Sequence, residues 1–171
     1  FQRPKKEFDY LMKLFREGFT EIAKDPRLEK QSIKIQFIGK TELFPQDVQD
    51  AMKQVMERTK NHKEYVINFA MAYGGRTEIV DAAKKMAEDV RKGKVTSDEV
   101  NEQTFKSYLY MDSEPDLIIR TGGEKRLSGF LLYASSYAEL IFLEKSWPEF
   151  EKEDFEACIQ EYKQRNRNFG K

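Results

Sequence analysis

The sequence PDLIIRTGGEKRLSGFLLYASSYAELIFLEKSWPEF, from Pro115 to Phe150, contains the most specific structural pattern of this chain. The apolar residues 117–119 predict a short buried strand that ends at Arg120, and Gly122 and Gly123 then predict a tight turn. A second apolar run, residues 140–143, predicts another strand beside Glu139. The pattern is therefore that of strands whose carboxyl ends carry charged side chains and a glycine turn.

This pattern indicates a site for a phosphate or a diphosphate. Arg120, Arg126 and Ser128 surround the glycine turn, where backbone N–H groups and guanidinium groups can converge on an anion. Ligands of open α/β sheets bind outside the carboxyl ends of the strands. A nearby acid, Glu139, would let a divalent cation share the anion. Two plainer interpretations stay open: a pair of surface arginines, and a strand-edge carboxylate held in an ion pair.

The rest of the chain alternates between helical and strand patterns. Periodicity and capping residues predict helices over 5–23, 45–59, 78–90, 97–109 (capped by Ser97) and 151–164. Strands are predicted over 32–38, 64–72, 117–119 and 140–143. Such alternation predicts an α/β fold, with a mostly parallel sheet, helices on both faces, and a single domain over residues 1–171.

Composition narrows the class of protein. The 30 basic and 30 acidic side chains balance and are interleaved, which argues against a nucleic-acid partner. A single cysteine, Cys158, excludes an internal disulfide, fits a reducing compartment and predicts a packed thiol. The only histidine, His62, lies in a polar turn and is expected to be solvated. No apolar run approaches a membrane span, so we expect a cytoplasmic protein whose membrane contact, if any, is peripheral.

Several motifs in one register resemble the cis-prenyltransferase family, which contains the undecaprenyl and dehydrodolichyl diphosphate synthases. The resemblance covers essentially all 171 residues. The motifs that carry it are FQRPKKE (1–7), NFAMAYGGR (68–76), RTGGEKRLSGFLL (120–132), YAELIF (137–142) and WPEF (147–150). Two departures from the family pattern, Gly129 and the pair Tyr133-Ala134, lie beside the predicted anion site.

The resemblance implies an enzyme that condenses isopentenyl diphosphate with an allylic prenyl diphosphate, repeatedly, to make a Z-polyprenyl diphosphate with Mg²⁺. It implies that Arg120, Arg126 and Ser128 hold the diphosphate of isopentenyl diphosphate, and that Glu139 is a Mg²⁺ ligand. The implied catalytic residues are Arg3, Arg120 and Arg126; the implied substrate-binding residues are Phe1, Arg3, Arg120, Arg126, Leu127 and Ser128.

Two other segments receive roles by resemblance. Residues 73–76, Tyr-Gly-Gly-Arg, look like a phosphate turn, but we favour a structural role at the floor of the pocket. The growing prenyl chain needs a dry tunnel, for which plain core packing is the alternative interpretation. The candidates to line it are Phe8, Leu11, Met12, Phe15, Tyr65, Ile67 and Phe69.

The tail RNRNFG, residues 165–170, resembles a C-terminal element that reaches a partner's diphosphate across a homodimer. Asn168 stands where the family has arginine, and Arg167 is a candidate substitute. Residues 102–110 and the strand near Leu117 are predicted to form part of the dimer interface, because the aromatic residues Phe105, Tyr108 and Tyr110 suit an interface core. A homodimer is therefore expected.

The alternative function is a non-catalytic partner subunit, as in the Nogo-B receptor. Such members lose parts of the arginine motif and the metal carboxylate, whereas this chain keeps Arg120, Arg126, Ser128 and Glu139. In the family, the first third of the domain carries a metal-binding aspartate that has no counterpart here. We therefore expect this chain to be the C-terminal portion of the family domain and to be inactive alone.

Overall fold

A computed structural model describes residues 4–165 of the chain, which form two compact units. The first unit ends at Tyr73 and the second begins at Gly74. The predicted site residues Phe1 and Arg3, and the tail positions Arg167 and Asn168, lie outside the described residues.

The first unit is a parallel strand pair with helices. Strands β1 and β2 run in register from the pair Ile33 and Tyr65 to the pair Gly39 and Met71. Along the chain the elements are α1 (Lys5–Ile22), α2 (Pro26–Lys30), β1 (Ile33–Gly39), a 3-10 turn (Thr41–Leu43), α3 (Gln46–Thr59) and β2 (Tyr65–Met71).

Helices α1 and α3 each carry one apolar face. These two faces pack with apolar side chains of β1, and together they form the core of this unit. Val48 and Val55 are fully buried on α3, and Ile35 of β1 is 2% exposed. An aromatic cluster adds to this core: the Phe19 and Phe37 rings are 4.7 Å apart, edge to face.

A single hydroxyl ties α3 to β1. The fully buried Thr59 Oγ1 accepts the Ile35 N–H at 3.1 Å and donates to the Val55 carbonyl at 2.9 Å. Because a buried N–H without a partner is costly, this hydroxyl contributes to the stability of the unit.

The second unit contains another parallel pair. Strand β3 pairs with β4 from Leu117 opposite Glu139 to Arg120 opposite Phe142. The elements are α4 (Gly75–Arg91), a 3-10 turn (Ser97–Glu99), α5 (Glu102–Lys106), β3 (Leu117–Arg120), β4 (Glu139–Phe142), a 3-10 turn (Trp147–Glu149) and α6 (Lys152–Gln164). All strand pairing among residues 4–165 is parallel, which confirms the predicted α/β class.

Residues 97–109 do not form the single continuous helix that was predicted, so this prediction is wrong. Thr96, not Ser97, closes a capping box with Glu99 around a 3-10 turn. A separate short helix, α5, then starts after Asn101, whose side chain accepts the Thr104 N–H at 2.9 Å. Two competing caps within six residues explain the break.

Three further features differ from the sequence prediction. Helix α4 begins at Gly75, three residues earlier than predicted. Helix α2 was missed, although Asp25 caps it and Pro26 opens it. His62 is not solvated: its side chain is 12% exposed and lies 2.8 Å from the Ile33 carbonyl and 3.0 Å from Glu29.

Two predictions from composition can be compared with the structure. Cys158 is 3% exposed on α6, as predicted for a packed thiol, and burial raises its pKa. Between residues 4 and 165, no helix is long and apolar enough to cross a membrane.

Candidate anion and metal site

The glycine turn after β3 is held by the segment that follows β4. Gly122 N–H donates to the Lys145 carbonyl at 2.7 Å, and Gly123 N–H donates to the Leu143 carbonyl at 2.9 Å. Both glycines have positive φ, +91° and +74°, and a Cβ on Gly123 would lie 2.8 Å from Glu144 Oε2. These two amides are therefore already used, and the expectation that this turn offers them to an anion is wrong.

Arg120 organises the loop that follows this turn. Its Nη1 donates to Ser128 Oγ at 2.9 Å and also to the main-chain carbonyl of Arg126. A guanidinium has five N–H donors, and these bonds among residues 4–165 use only those on Nη1, so Nε and Nη2 can bind a ligand. Ser128 accepts this bond, so its own hydroxyl hydrogen is available to donate. The structure thus brings together three of the predicted site residues.

An apolar cavity of about 280 Å³ adjoins this arginine. Leu127, predicted as a substrate-binding residue, lines it together with Ile118, Ile119, Arg120, Thr121 and Phe130. The cavity therefore combines one cationic side chain with an apolar wall, an arrangement that suits an ester of phosphate with a short hydrocarbon.

Arg126 is held more loosely than Arg120. Its side chain is 64% exposed and pairs with Glu124, whose side chain is 48% exposed. Surface ion pairs of this kind are worth little in free energy. Arg126 can therefore exchange Glu124 for an anionic ligand at small cost.

Glu139 is the first residue of β4, and its carboxylate is paired. Oε2 lies 2.6 Å from Arg165 Nη1, which also donates to the Leu140 carbonyl at 3.2 Å. Arg165 pairs with Glu161 as well, and its hydrogen bonds to Glu139 and then to Glu161 raise its pKa. The side chains of Glu139 and Arg165 are 23% and 33% exposed. The structure thus contains an ion pair of Glu139, which was the alternative interpretation of this carboxylate.

Glu139 can serve as a single protein ligand of a metal ion, but the described residues around it do not form a complete metal site. Within residues 4–165, no group of three or more histidine, cysteine or carboxylate side chains is placed to hold a metal ion. Mg²⁺ in phosphate sites takes one or two carboxylates and completes its shell with phosphate oxygens and water. Glu139 fits as one such ligand, since its hydrogen bond to Arg165 engages Oε2 of the carboxylate.

Gly75, the second glycine of the pair at 74–75, lies against the same loop. Gly75 is buried at the start of α4, and its N–H donates to the Gly129 carbonyl at 2.7 Å. Gly129 directly follows Ser128 in sequence. A structural role was expected for this segment, but no sequence pattern indicates its partner, which lies 54 positions further along the chain.

The first unit contains an apolar cavity of about 320 Å³. The four tunnel candidates on α1 line it: Phe8, Leu11, Met12 and Phe15, with Phe44, Ala70, Met71 and Ala72. The strand candidates do not join them. Ile67 and Phe69 line a different cavity of about 290 Å³, and Tyr65 is 63% exposed.

The aromatic residues predicted for a dimer interface have partners within their own unit. Phe105 and Tyr133 have ring centroids 5.4 Å apart, and Tyr108 Oη donates to Asp89 at 3.1 Å. Tyr110 Oη donates to Asp81. These contacts account for the aromatic content without a second subunit, so the dimer stays a prediction.

Comparison with known proteins identifies the family. A family model described as "Putative undecaprenyl diphosphate synthase" matches residues 1–170. The tritrans,polycis-undecaprenyl-diphosphate synthase (geranylgeranyl-diphosphate specific) of Pyrococcus horikoshii is 45% identical over 173 residues. The protein with the same name from Methanocaldococcus jannaschii is 43% identical over 175 residues. Both alignments cover 100% of this chain, but only 66% and 62% of the relatives' own length.

Solved structures agree with this result. Lavandulyl diphosphate synthase from Lavandula x intermedia, in complex with dimethylallyl diphosphate, matches with a TM-score of 0.92 and 32% identity, over 99% of this chain and 74% of that one. A probable undecaprenyl diphosphate synthase from Campylobacter jejuni matches with a TM-score of 0.85 and 35% identity, over 99% and 77%. The chain belongs to the undecaprenyl diphosphate synthase family, the cis-prenyltransferases.

Proposed function

We propose that the protein condenses isopentenyl diphosphate with an allylic prenyl diphosphate and makes a Z-polyprenyl diphosphate. The observation that carries this proposal is the cluster at the end of β3, where Arg120 holds Ser128 and the Arg126 carbonyl beside an apolar cavity. The relatives from Pyrococcus horikoshii and Methanocaldococcus jannaschii are named as geranylgeranyl-diphosphate specific, so geranylgeranyl diphosphate is the allylic substrate to test first.

Arg120 and Ser128 would bind the diphosphate of isopentenyl diphosphate, and Arg126 would join them. A planar guanidinium can donate two parallel hydrogen bonds to phosphate oxygens. Arg120 is already fixed by its bonds to the loop, so little conformational entropy is lost when it binds a ligand. Leu127 and its apolar neighbours would face the hydrocarbon part. The site would thereby orient the extending unit for attack on the allylic carbon.

Glu139 would supply one carboxylate to Mg²⁺. When bound, Mg²⁺ neutralises diphosphate charge and stabilises the leaving group. Arg165 holds Oε2 of Glu139 at 2.6 Å and so fixes the direction of the carboxylate. Arg3 and Phe1 are proposed to contact the substrates on the grounds of their motif alone, because they lie outside the described residues.

We also propose that the protein is a homodimer in the cytoplasm. We further propose that it contacts a membrane peripherally, so that a long prenyl product could pass into the lipid. The dimer proposal rests on the resemblance of the tail, and the membrane proposal rests on the chemistry of the product. The enzyme names of the relatives support catalysis, and none of them supports a non-catalytic partner subunit.

The test is the transfer of labelled isopentenyl diphosphate onto geranylgeranyl diphosphate by the complete protein with Mg²⁺. Lys125→Ala is a matched control for Arg120→Ala, because Lys125 is an exposed cation of the same loop. We expect extended products from the wild type and from Lys125→Ala, and a large loss from Arg120→Ala at low isopentenyl diphosphate. Equal losses in both variants would indicate general attraction by positive charge and would contradict the assignment.

A further inference from the structure

The loop that carries Ser128 has an unusual backbone. Ser128 has φ +49°, Gly129 has φ +84° and Leu131 has φ +45°. Left-handed backbone is unfavourable for residues with a Cβ, most of all for a bulky one such as leucine. Such a conformation persists only when surrounding contacts hold it in place.

One of these contacts comes from the first residue of α4. Gly75 N–H donates to the Gly129 carbonyl at 2.7 Å, and Gly75 is buried. The first amides of a helix have no partner within the helix. Here the amide of Gly75 finds its partner in the residue that directly follows Ser128.

The contact is too close for any side chain at position 75. A Cβ there would lie 2.5 Å from the Gly129 carbonyl oxygen and 3.1 Å from the Leu132 backbone nitrogen. Neither is the end of a flexible side chain, so the loop itself would have to move. Gly74 is different: its Cβ would meet only Thr77 Oγ1, at 3.6 Å, which is an ordinary contact.

Helix α4 is itself firmly held, so it can act as a fixed support. Glu78, in its first turn, is 2% exposed and accepts the Tyr110 N–H at 3.1 Å. Further along α4, Asp81 and Asp89 accept hydrogen bonds from Tyr110 and Tyr108. A displacement forced by a larger residue at position 75 would therefore fall on the loop rather than on the helix.

We propose that Gly75 is a positioning residue for the diphosphate site: its missing side chain and its N–H set the position of Ser128 opposite Arg120. The inference rests on the proposed function, because it assumes that Arg120 and Ser128 bind isopentenyl diphosphate. The proposal also distinguishes the two glycines at 74–75. Gly75 must lack a Cβ for the diphosphate site to form, whereas Gly74 need not.

The test compares Gly75→Ala with Gly74→Ala in the complete protein. We expect Gly75→Ala to raise KM and Kd for isopentenyl diphosphate by about tenfold to a hundredfold, since the displaced Ser128 would lose a hydrogen bond to a charged ligand, and such bonds have effects of this size. KM for the allylic substrate should change by less than about twofold. Gly74→Ala should resemble the wild type. Equal effects of the two alanines, or a fall in kcat with KM unchanged, would overturn the proposal.

A double-mutant cycle separates this inference from the function on which it rests. If Gly75 acts through Ser128, Gly75→Ala should add little to the effect of Ser128→Ala on Kd, because residues that act together are not additive. If Ser128→Ala and Arg120→Ala leave Kd unchanged, the proposed function fails. If they weaken binding and Gly75→Ala does not, only the inference on Gly75 fails.

An experiment on the wild-type protein covers the case in which Gly75→Ala does not fold. Amide hydrogen exchange is measured with and without isopentenyl diphosphate. We expect the Gly75 amide to exchange more slowly when the ligand is bound, because the ligand stabilises the loop that accepts its hydrogen bond. Protection within 126–129 with no change at Gly75 would show that the two segments are not coupled and would overturn the proposal.

Discussion

Replacement of Arg120 by alanine should weaken the use of isopentenyl diphosphate specifically. Arg120 makes a bond of 2.9 Å to Ser128 Oγ and a second bond to the Arg126 carbonyl. The variant would lose the direct bond to the ligand and the order of the loop. A charge-assisted hydrogen bond contributes about 1.5–3 kcal/mol, which corresponds to about a 10- to 150-fold rise in KM.

Arg126→Ala provides the comparison. Arg126 is 64% exposed and already paired with Glu124, so solvent and that partner reduce what it can contribute. We expect a rise of less than about tenfold, and hence a smaller effect than at Arg120. Steady-state kinetics with each substrate varied in turn measures both values. The reasoning would be refuted if Arg120→Ala raised only KM for the allylic substrate, because the two diphosphate sites would then be exchanged.

Three further outcomes are expected. Glu139→Gln should keep a hydrogen bond to Arg165 but lose most turnover. The Mg²⁺ concentration that gives half the maximal rate should rise, because the variant has lost a metal-binding carboxylate. Near-normal activity at saturating Mg²⁺ would exclude Glu139 as a ligand. Thr59→Val should lower the free energy of unfolding by about 1–3 kcal/mol in urea titration, because it leaves the buried Ile35 N–H without a partner; an unchanged midpoint would contradict the role of that hydroxyl. Truncation after Arg165 should lower activity because it removes the tail, and truncation after Gln164 should lower it further because it also removes the partner of Glu139; two fully active truncations, with light scattering that shows a monomer, would remove the case for a dimer tail.

Periodicity was sufficient to locate most elements of the fold. The strands appear within one residue of their predicted limits, because apolar runs such as residues 117–119 are bounded by glycine or by charged residues. The break between the 3-10 turn and α5 was not predicted, because it depends on competition between Thr96 and Asn101 as caps. Such competition involves a free-energy difference of about 1 kcal/mol, which a hydrophobic pattern does not reveal.

The sequence predicted which residue types form the site, but it did not predict the contacts between distant segments. Arg120 and Ser128 are eight positions apart and belong to one motif, so their proximity was expected. The bond between Arg165 and Glu139 joins residues 26 apart, and it depends on where α6 ends beside β4. Tertiary contacts of this kind leave no local signal in one sequence.

The most direct test of the central claim is a crystal structure of the complete protein with isopentenyl diphosphate and Mg²⁺. The claim predicts the diphosphate at the end of β3, within hydrogen-bond distance of the Arg120 guanidinium and Ser128 Oγ, with Arg126 released from Glu124. It also predicts the hydrocarbon part against Leu127. A diphosphate bound elsewhere, with Arg120 still bonded only to Ser128 and the Arg126 carbonyl, would contradict the assignment of this site.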